Sequence, residues 1–170
     1  MKATGVIRRI DDLGRIVIPK EIRKNLRIKN GENLEIFTDE QKNIVLKKYS
    51  YIDNLKEISE ELVNSIHKIT KQNIFITNTQ SVIATSKKGY RNKELSNDLI
   101  NIIYKRKEIN DENELEIINN YKENNCTLSP IIANGDLIGS VILSSEEKIT
   151  KSDLNLIKVT SNFLARHIEG

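Results

Sequence analysis

The first third of the chain is dominated by the stretch Arg8-Arg9-Ile10-Asp11-Asp12-Leu13-Gly14-Arg15-Ile16-Val17-Ile18-Pro19-Lys20-Glu21-Ile22-Arg23-Lys24. Runs rich in β-branched residues, Thr4–Ile10 and Arg15–Ile18, lie on either side of its Asp-Asp-Leu-Gly segment. Such runs around a glycine-containing turn predict two short strands. Pro19 suits the start of a helix, because the N–H that proline lacks would have no partner there. The stretch therefore predicts strand, turn, strand and then a helix that ends near Leu26.

Positive charge is concentrated in the same part of the chain. Residues 1–50 hold 12 Lys and Arg against 7 Asp and Glu, whereas residues 51–170 hold 15 against 17. The net charge of +3 over 170 residues therefore comes from the first fifty. A compact basic module in front of a nearly neutral one indicates a polyanion-binding unit joined to a second unit.

The remainder of the N-terminal module predicts a hairpin and a need for a partner. Leu34–Phe37 and Asn43–Lys48 are strand-like and are separated by four polar residues. Fifty residues bury only a small core, and these contain no Cys or His for a disulfide or a zinc site. We therefore expect residues 1–50 to form a homodimer that exchanges or interlocks strands.

Residues 51–170 predict a second domain of the α+β class. Leu and Ile at three- and four-residue steps predict a helix over 54–71, and Thr150 with Asp153 forms a capping box before a final helix over 151–168. Asn134-Gly135 is a strong hairpin signal. The other expected elements are strands at Ile74–Thr77, Val82–Thr85, Cys126–Ala133 and Leu137–Ser144 and a helix at Glu94–Arg106; the polar, acidic segment 107–125 predicts no element.

The final helix is apolar over much of its circumference. Leu156, Val159 and Phe163 lie away from the stripe that carries Leu154, Ile157, Leu164 and Ile168. Such a helix usually has two neighbours. One interpretation is packing within the chain, and the other, which we favour, is a bundle that also joins chains.

The N-terminal residues closely resemble the AbrB-type swapped-hairpin DNA-binding domain. The resemblance lies in residues 1–19, Glu21-Ile22-Arg23, Leu34-Glu35-Ile36-Phe37 and Leu46-Lys47-Lys48-Tyr49. It continues, through Pro130–Gly139 and Phe163–Arg166, to AbrB-family regulators with a C-terminal GAF-like domain.

This resemblance implies an interlocked, β-barrel-like N-terminal dimer over residues 1–50, followed by a GAF-like antiparallel sheet domain flanked by helices over 51–170. It implies a dimer of dimers, joined through the C-terminal helices, that binds double-stranded DNA. The resemblance further implies a transcription regulator of sporulation genes, located in the cytoplasm and specifically in the forespore of an endospore-forming bacterium.

In that family the DNA contacts are mainly arginines of the ribbon and helix. By position they correspond to Arg8, Arg15, Arg23 and Lys24, with Arg9 beside them. At Lys24 the family more often has arginine. Lysine keeps the charge but loses the planar, two-pronged donor, so a phosphate contact is expected there rather than bidentate base recognition.

Catalytic and metal chemistry are not expected. Cys126 begins an apolar strand, while His67 and His167 lie on different helices, so no nucleophile–base pair is indicated. The sequence contains neither a glycine-rich phosphate loop nor a spaced Cys/His ligand set. We therefore predict a protein that is not an enzyme and has no cofactor. No apolar run approaches the roughly 18–20 residues of a membrane span, so no membrane partner is expected.

Two alternatives remain open at this stage. A small-molecule effector of unknown identity could bind the second domain, and the small, basic segment Thr85–Gly89 is either an anion contact or a plain surface loop. Alternatively, the chain could be an antitoxin-like module that neutralises a partner toxin, since antitoxins share the N-terminal fold. Their following segments are typically short and extended, whereas about 120 residues follow here.

Overall fold

The computed structural model describes residues 5–28, 30–49 and 55–169. The chain divides into two compact units, residues 1–49 and residues 50–170. Within the described residues, the first unit holds one short helix and a two-stranded sheet, and the second holds a five-stranded sheet with three helices. The fold is therefore mixed α+β, as the sequence predicts.

The first unit contains helix α1 (Lys20–Asn25) and the antiparallel strands β1 (Leu34–Thr38) and β2 (Ile44–Lys48). Leu34 lies opposite Lys48 and Thr38 opposite Ile44, so the predicted hairpin is present. Pro19 is the N-cap of α1, one position before the predicted one.

The two strands expected before α1 are not strands within this chain. Residues 5–10 and 15–19 belong to no ladder, although a turn at Asp11–Gly14 folds the segments back on each other. Residues 1–4 lie outside the described part of the chain. A strand needs a partner to satisfy its backbone groups, and the described part of a single chain provides none for these segments.

The second unit is built on an antiparallel sheet with strand order β4-β3-β7-β6-β5. Its strands are β3 (Asn73–Asn78), β4 (Val82–Thr85), β5 (Ile109–Ile118), β6 (Tyr121–Ala133) and β7 (Asp136–Ser144). The β6–β7 turn has Asn134 and Gly135 at φ +50° and +80°, the left-handed conformations of a tight hairpin. This hairpin forms the centre of the sheet.

Segment 107–125 is the main element that the sequence did not reveal. It forms β5 and the first part of β6, which pair with each other at the edge of the sheet. The outer part of this ribbon is exposed and polar, with an ion pair of 2.6 Å between Lys122 Nζ and Glu114 Oε1. Because the outer residues are charged, the alternation of apolar and polar residues that predicts a strand is absent there. The same charges keep an exposed sheet edge from pairing with other chains.

Helices cover both faces of the sheet. On one face lie α2 (Lys56–Thr70) and α4 (Lys151–Glu169), whose buried side chains pack with alternate strand residues such as Ile74 and Ile76. On the other face lies α3 (Asn97–Tyr104), which packs with Phe75 and Ile142. Alternation along each strand therefore fills two separate cores.

The terminal helices match their predictions closely. Asn54, where the first was expected to begin, lies outside the described residues, and α4 ends one residue later than expected. The capping box is present: Asp153 N donates to Thr150 Oγ1 over 3.3 Å, and Thr150 N donates to Asp153 Oδ2 over 2.8 Å. Ile69, part of the expected stripe of α2, is instead 82% exposed near the end of that helix.

Candidate nucleic-acid interface

The N-terminal unit exposes both its charges and its apolar side chains. Among residues 5–28 and 30–49 none is buried. Ile7 is 90% exposed, Val17 72% and Ile36 69%. Such a density of exposed large aliphatic groups marks a surface that is covered by a partner.

The turn at Asp11 organises the first arginine segment. Asp11 Oδ1 accepts hydrogen bonds from the backbone N–H of Leu13 at 3.0 Å and of Arg15 at 2.8 Å. Asp11 N also donates to Arg15 O over 3.0 Å, and Gly14 closes the turn at φ +76°. The turn thereby holds Arg8 and Arg9 on one arm and Arg15 on the other.

Arg15 is fixed by the same aspartate. Its Nε donates to Asp11 Oδ2 over 2.8 Å, and the Arg15 side chain is 71% exposed. The backbone N–H of Arg15, and then its guanidinium, hold the pKa of Asp11 below its usual range. The recorded ion pair uses Nε, so the two terminal nitrogens of Arg15 are not part of that bond.

Arg23 is held in a different way. It lies in α1, is half-buried, and donates from Nη1 to Asn30 Oδ1. Its Nε is buried and, among the described residues, has no hydrogen-bond partner. A buried N–H without a partner costs free energy, and the Arg23 guanidinium carries that cost within the described residues.

Arg8, Arg9 and Lys24 are exposed. Within the described residues their side chains form no ion pair or hydrogen bond. All five predicted basic residues therefore lie in the first unit. Arg15 and Arg23 are each held by a side-chain hydrogen bond within the chain, whereas the other three have none among the described residues. The bracing residues Asp11 and Asn30 were not predicted, although an Asp that begins a glycine-containing turn is a recognisable signal for hydrogen bonds from its side chain to the following backbone N–H groups.

The β1–β2 turn repeats the geometry of the Asp11 turn. Asp39 Oδ1 accepts from the N–H of Gln41 at 3.0 Å and of Asn43 at 2.8 Å, and Asn43 Nδ2 donates to Asp39 Oδ2 over 2.9 Å. Lys42 stands at φ +62° in the position of Gly14. The difference between the two turns is chemical, because the braced side chain is a guanidinium in one and a neutral amide in the other.

The candidate reactive residues of the second unit lie apart. Cys126 is buried, and burial raises the pKa of its thiol to about 12, the opposite of what an activated nucleophile needs. His67 Nδ1 lies 2.7 Å from Gln72 O, and His167 stacks on Phe163.

No three acidic, Cys or His side chains of the described ranges are grouped to hold a metal ion. None of the helices in those ranges combines the length and apolar character that a membrane crossing requires.

Of the two alternatives for segment Thr85–Gly89, the structure shows an anion contact, and the anion belongs to the same chain. Lys87 Nζ lies 2.6 Å from Glu123 Oε1 of the same chain, and Glu123 is 4% exposed. The anion that this segment contacts is therefore an internal carboxylate. The two residues are 36 positions apart, so no local spacing signals the pair.

Two protein-family models match the chain in complementary parts. The family described as stage V sporulation protein T C-terminal, transcription factor, matches residues 54–169. The family described as antidote-toxin recognition MazE, bacterial antitoxin, matches residues 7–53. Together the matches cover both units.

Individual proteins of Bacillus subtilis (strain 168) show the same division. The chain is 39% identical to stage V sporulation protein T over 177 residues, covering 99% of each protein. It is 53% identical to the transition state regulatory protein AbrB over 49 residues, which is 29% of this chain and 50% of that protein.

Among solved structures, the chain is similar to the cofactor binding GAF domain of the nutrient sensor CodY from Clostridium difficile. The TM-score is 0.53, and the match covers 88% of this chain and 94% of that one. At 15% identity this likeness concerns the fold alone, and it confirms the predicted GAF-like sheet domain.

Proposed function

The chain belongs to the family of stage V sporulation protein T, and from this premise we propose that it is a transcription regulator of sporulation that binds double-stranded DNA through its N-terminal unit. One observation carries the proposal. Basic side chains are exposed at Arg8, Arg9, Arg15 and Lys24, in a unit that is 53% identical to AbrB over 49 residues. A clustered basic surface on a small module is typical of a DNA-binding domain.

The binding unit is a homodimer of residues 1–50. Its apolar side chains have no core of their own, and burying one large aliphatic side chain contributes about 1.5–3 kcal/mol. Ile7, Val17 and Ile36 are each more than two-thirds exposed in the single chain. A second copy that lays its residues 5–10 and 15–19 against the first would give these segments strand partners and double every arginine.

Phosphate contacts supply most of the affinity in this proposal, and sequence-dependent DNA shape much of the selectivity. The geometry supports this division of roles. Arg15 is held through Nε alone, so its terminal nitrogens can take a phosphate or a base edge. Lys24, as a point charge, takes a phosphate.

The second unit joins two such dimers into a tetramer through its terminal helices. On α4, Val159 is 67% and Phe163 40% exposed, although the opposite face of the helix is buried against the sheet. Leu156, expected on the same outward side, is partly buried in the core instead. Two linked DNA-binding dimers gain about 10²–10⁴-fold in avidity when both engage.

The second unit also responds to an effector, and the protein acts in the cytoplasm of the forespore. Support for the effector comes from the buried carboxylate of Glu123, which is paired with the partly exposed ammonium of Lys87. Support for the compartment comes from the relative's role in sporulation, as its name states.

The proposal is tested by fluorescence anisotropy of the full-length protein on double-stranded genomic fragments. Affinity should fall with salt at a log–log slope of about −0.9 per phosphate neutralised. The triple variant R8A/R15A/R23A should lose most of this affinity and slope. K93A, which removes an exposed positive charge from the second unit, should bind like the wild type. Equal binding by the triple variant and K93A would refute the assignment.

A second candidate function is favoured by the match of residues 7–53 to the antitoxin family. In that case the chain would neutralise a toxin through the segment after the N-terminal unit. Here that segment is a folded sheet domain with a helix at each end, which disfavours the short, extended tail typical of antitoxins. Purification of the native protein with a stoichiometric toxin, and without affinity for DNA, would favour this function.

A further inference from the structure

A buried carboxylate lies in the second unit, away from the candidate DNA interface. Glu123, on β6, is 4% exposed, and both of its carboxylate oxygens accept hydrogen bonds. Oε1 accepts from Lys87 Nζ at 2.6 Å and from Tyr90 Oη, and Oε2 accepts from Ser144 Oγ at 3.0 Å. Two hydroxyls and one ammonium therefore converge on a single carboxylate.

The environment of this carboxylate is apolar. Tyr90 packs between Phe75, at a ring distance of 5.2 Å, and Tyr121, at 5.7 Å. Burial, and then the hydrogen bond to Glu123, raise the pKa of Tyr90, so its hydroxyl remains a donor. A carboxylate in such a place is costly unless a cation accompanies it, and among the described residues Lys87 is the cation that does so.

Lys87 reaches the carboxylate from outside. Its side chain is 40% exposed, and it lies just beyond the end of β4 rather than within the sheet. Its ammonium can therefore return to water by side-chain rotation, whereas the Glu123 carboxylate is buried and accepts further hydrogen bonds from Tyr90 and Ser144. Withdrawal of Lys87 would leave a preformed acceptor with two hydroxyl donors in place.

We propose that Glu123, with the hydroxyls of Tyr90 and Ser144, is a recognition site for the primary ammonium group of a small-molecule amine, and that Lys87 is its internal occupant when no ligand is bound. The chemistry requires a compact cation with several N–H donors, because Tyr90 already shares Oε1. A quaternary ammonium ion offers no donor and does not satisfy the carboxylate.

Occupation by Lys87 sets the affinity of the site. A ligand must compete with a tethered ammonium, so its apparent affinity is reduced by the fraction of molecules in which Lys87 is withdrawn. If that fraction is about 0.1–10%, the wild type binds an amine about 10- to 1,000-fold more weakly than a variant without the lysine ammonium.

The same loop also contacts α2. Arg91, four residues after Lys87, pairs through Nη2 with Glu60 Oε1 on that helix. Helix α2 is the first element after the segment that joins the two units. If a ligand displaced the Lys87 ammonium, the loop that carries Lys87 would move, and the ion pair between Arg91 and Glu60 would connect this loop to α2. This consequence for DNA binding rests on the proposed function, whereas the site itself does not.

The test uses the full-length variant K87M, which keeps the length of the stem and removes the charge. Its melting temperature should rise with ethylammonium chloride and not with tetramethylammonium chloride at the same ionic strength. The double variant K87M/E123Q should not respond to ethylammonium specifically, and the wild type should respond only at much higher concentration. An equal effect of the two salts on K87M, or an equal response of K87M/E123Q, would overturn the proposal.

A measurement on the wild type covers the case in which K87M does not fold. The ε-carbon NMR signal of Lys87, assigned by comparison with K87R, should shift saturably with ethylammonium and not with tetramethylammonium. A signal insensitive to a large excess of ethylammonium would refute the site. Fluorescence anisotropy on DNA, with and without ethylammonium, then separates the amine site from the proposed DNA-binding function. If the protein binds no DNA in either condition, the proposed function is wrong, but the melting and NMR results still decide whether the amine site exists.

Discussion

Substitution of Arg15 by Ala tests DNA recognition at an exposed arginine whose recorded side-chain bond, to Asp11, has a close counterpart elsewhere in the N-terminal unit. Arg15 occurs twice in a dimer, and a good phosphate or base contact is worth about 1–3 kcal/mol. If both copies contact DNA, the loss is about 2–6 kcal/mol per dimer, or between about thirtyfold and about 10⁴-fold in Kd. The salt slope should become shallower by about 1.8 if both contacts are to phosphates.

The repeated turn supplies a matched control for this substitution. In R15A the lost bond is Nε to Asp11 Oδ2 at 2.8 Å, and in N43A it is Nδ2 to Asp39 Oδ2 at 2.9 Å. Both changes keep the backbone bonds of their turns. The two variants should therefore unfold at similar denaturant concentrations, with similarly small losses relative to the wild type.

The assay is fluorescence anisotropy of both full-length variants on one duplex over a series of salt concentrations. We expect N43A to match the wild type in affinity and salt slope, whereas R15A loses both. If R15A and N43A bind alike, or if the loss in R15A is matched by a loss of folded protein, the role of Arg15 in DNA binding is wrong.

Three further predictions concern the second unit. In a urea titration, G139A should lower the free energy of unfolding by at least about 3 kcal/mol, because an added Cβ would lie 1.8 Å from a backbone oxygen of β3. The control G135A has free space around the added Cβ but a φ of +80°, so it should lower the free energy of unfolding by only about 1 kcal/mol. Burial acts to raise the pKa of Asp153, but its hydrogen bonds outweigh burial and hold this pKa below the usual range in the folded protein. The wild type should therefore be more stable than D153N above about pH 4, and this advantage should disappear as the pH falls through the lowered pKa of the folded state. The variant V159S/F163S should be a dimer by light scattering while its N-terminal unit still binds single-site DNA, and a persistent tetramer would contradict the α4 interface.

Local signals in the sequence predicted the elements whose physics is local. The Asn134-Gly135 turn and the Thr150–Asp153 capping box depend on residues within four positions, and both have the expected geometry. The α+β class followed from the change of period between the helical stripes and the strands.

The misses arise from interactions between distant residues or between chains. The strands expected around the Asp11 turn have no partner in one chain, so their prediction depends on a second copy. Strand β5 and the part of β6 before Cys126 were not predicted because their outer residues are polar and charged. The ion pair between Lys87 and the buried Glu123 joins a loop to a strand 36 residues away, and no residue pattern near either one predicts it. Asn30 likewise braces Arg23 from seven positions away.

The most direct test of the account is sequencing of genomic DNA fragments selected by the purified full-length protein. Wild-type protein should enrich a reproducible set of discrete sites, and R8A/R15A/R23A at the same concentration should lose them while K93A retains them. A wild-type profile no different from input DNA, or an unchanged profile for the triple variant, would contradict the claim that the basic N-terminal unit recognises DNA.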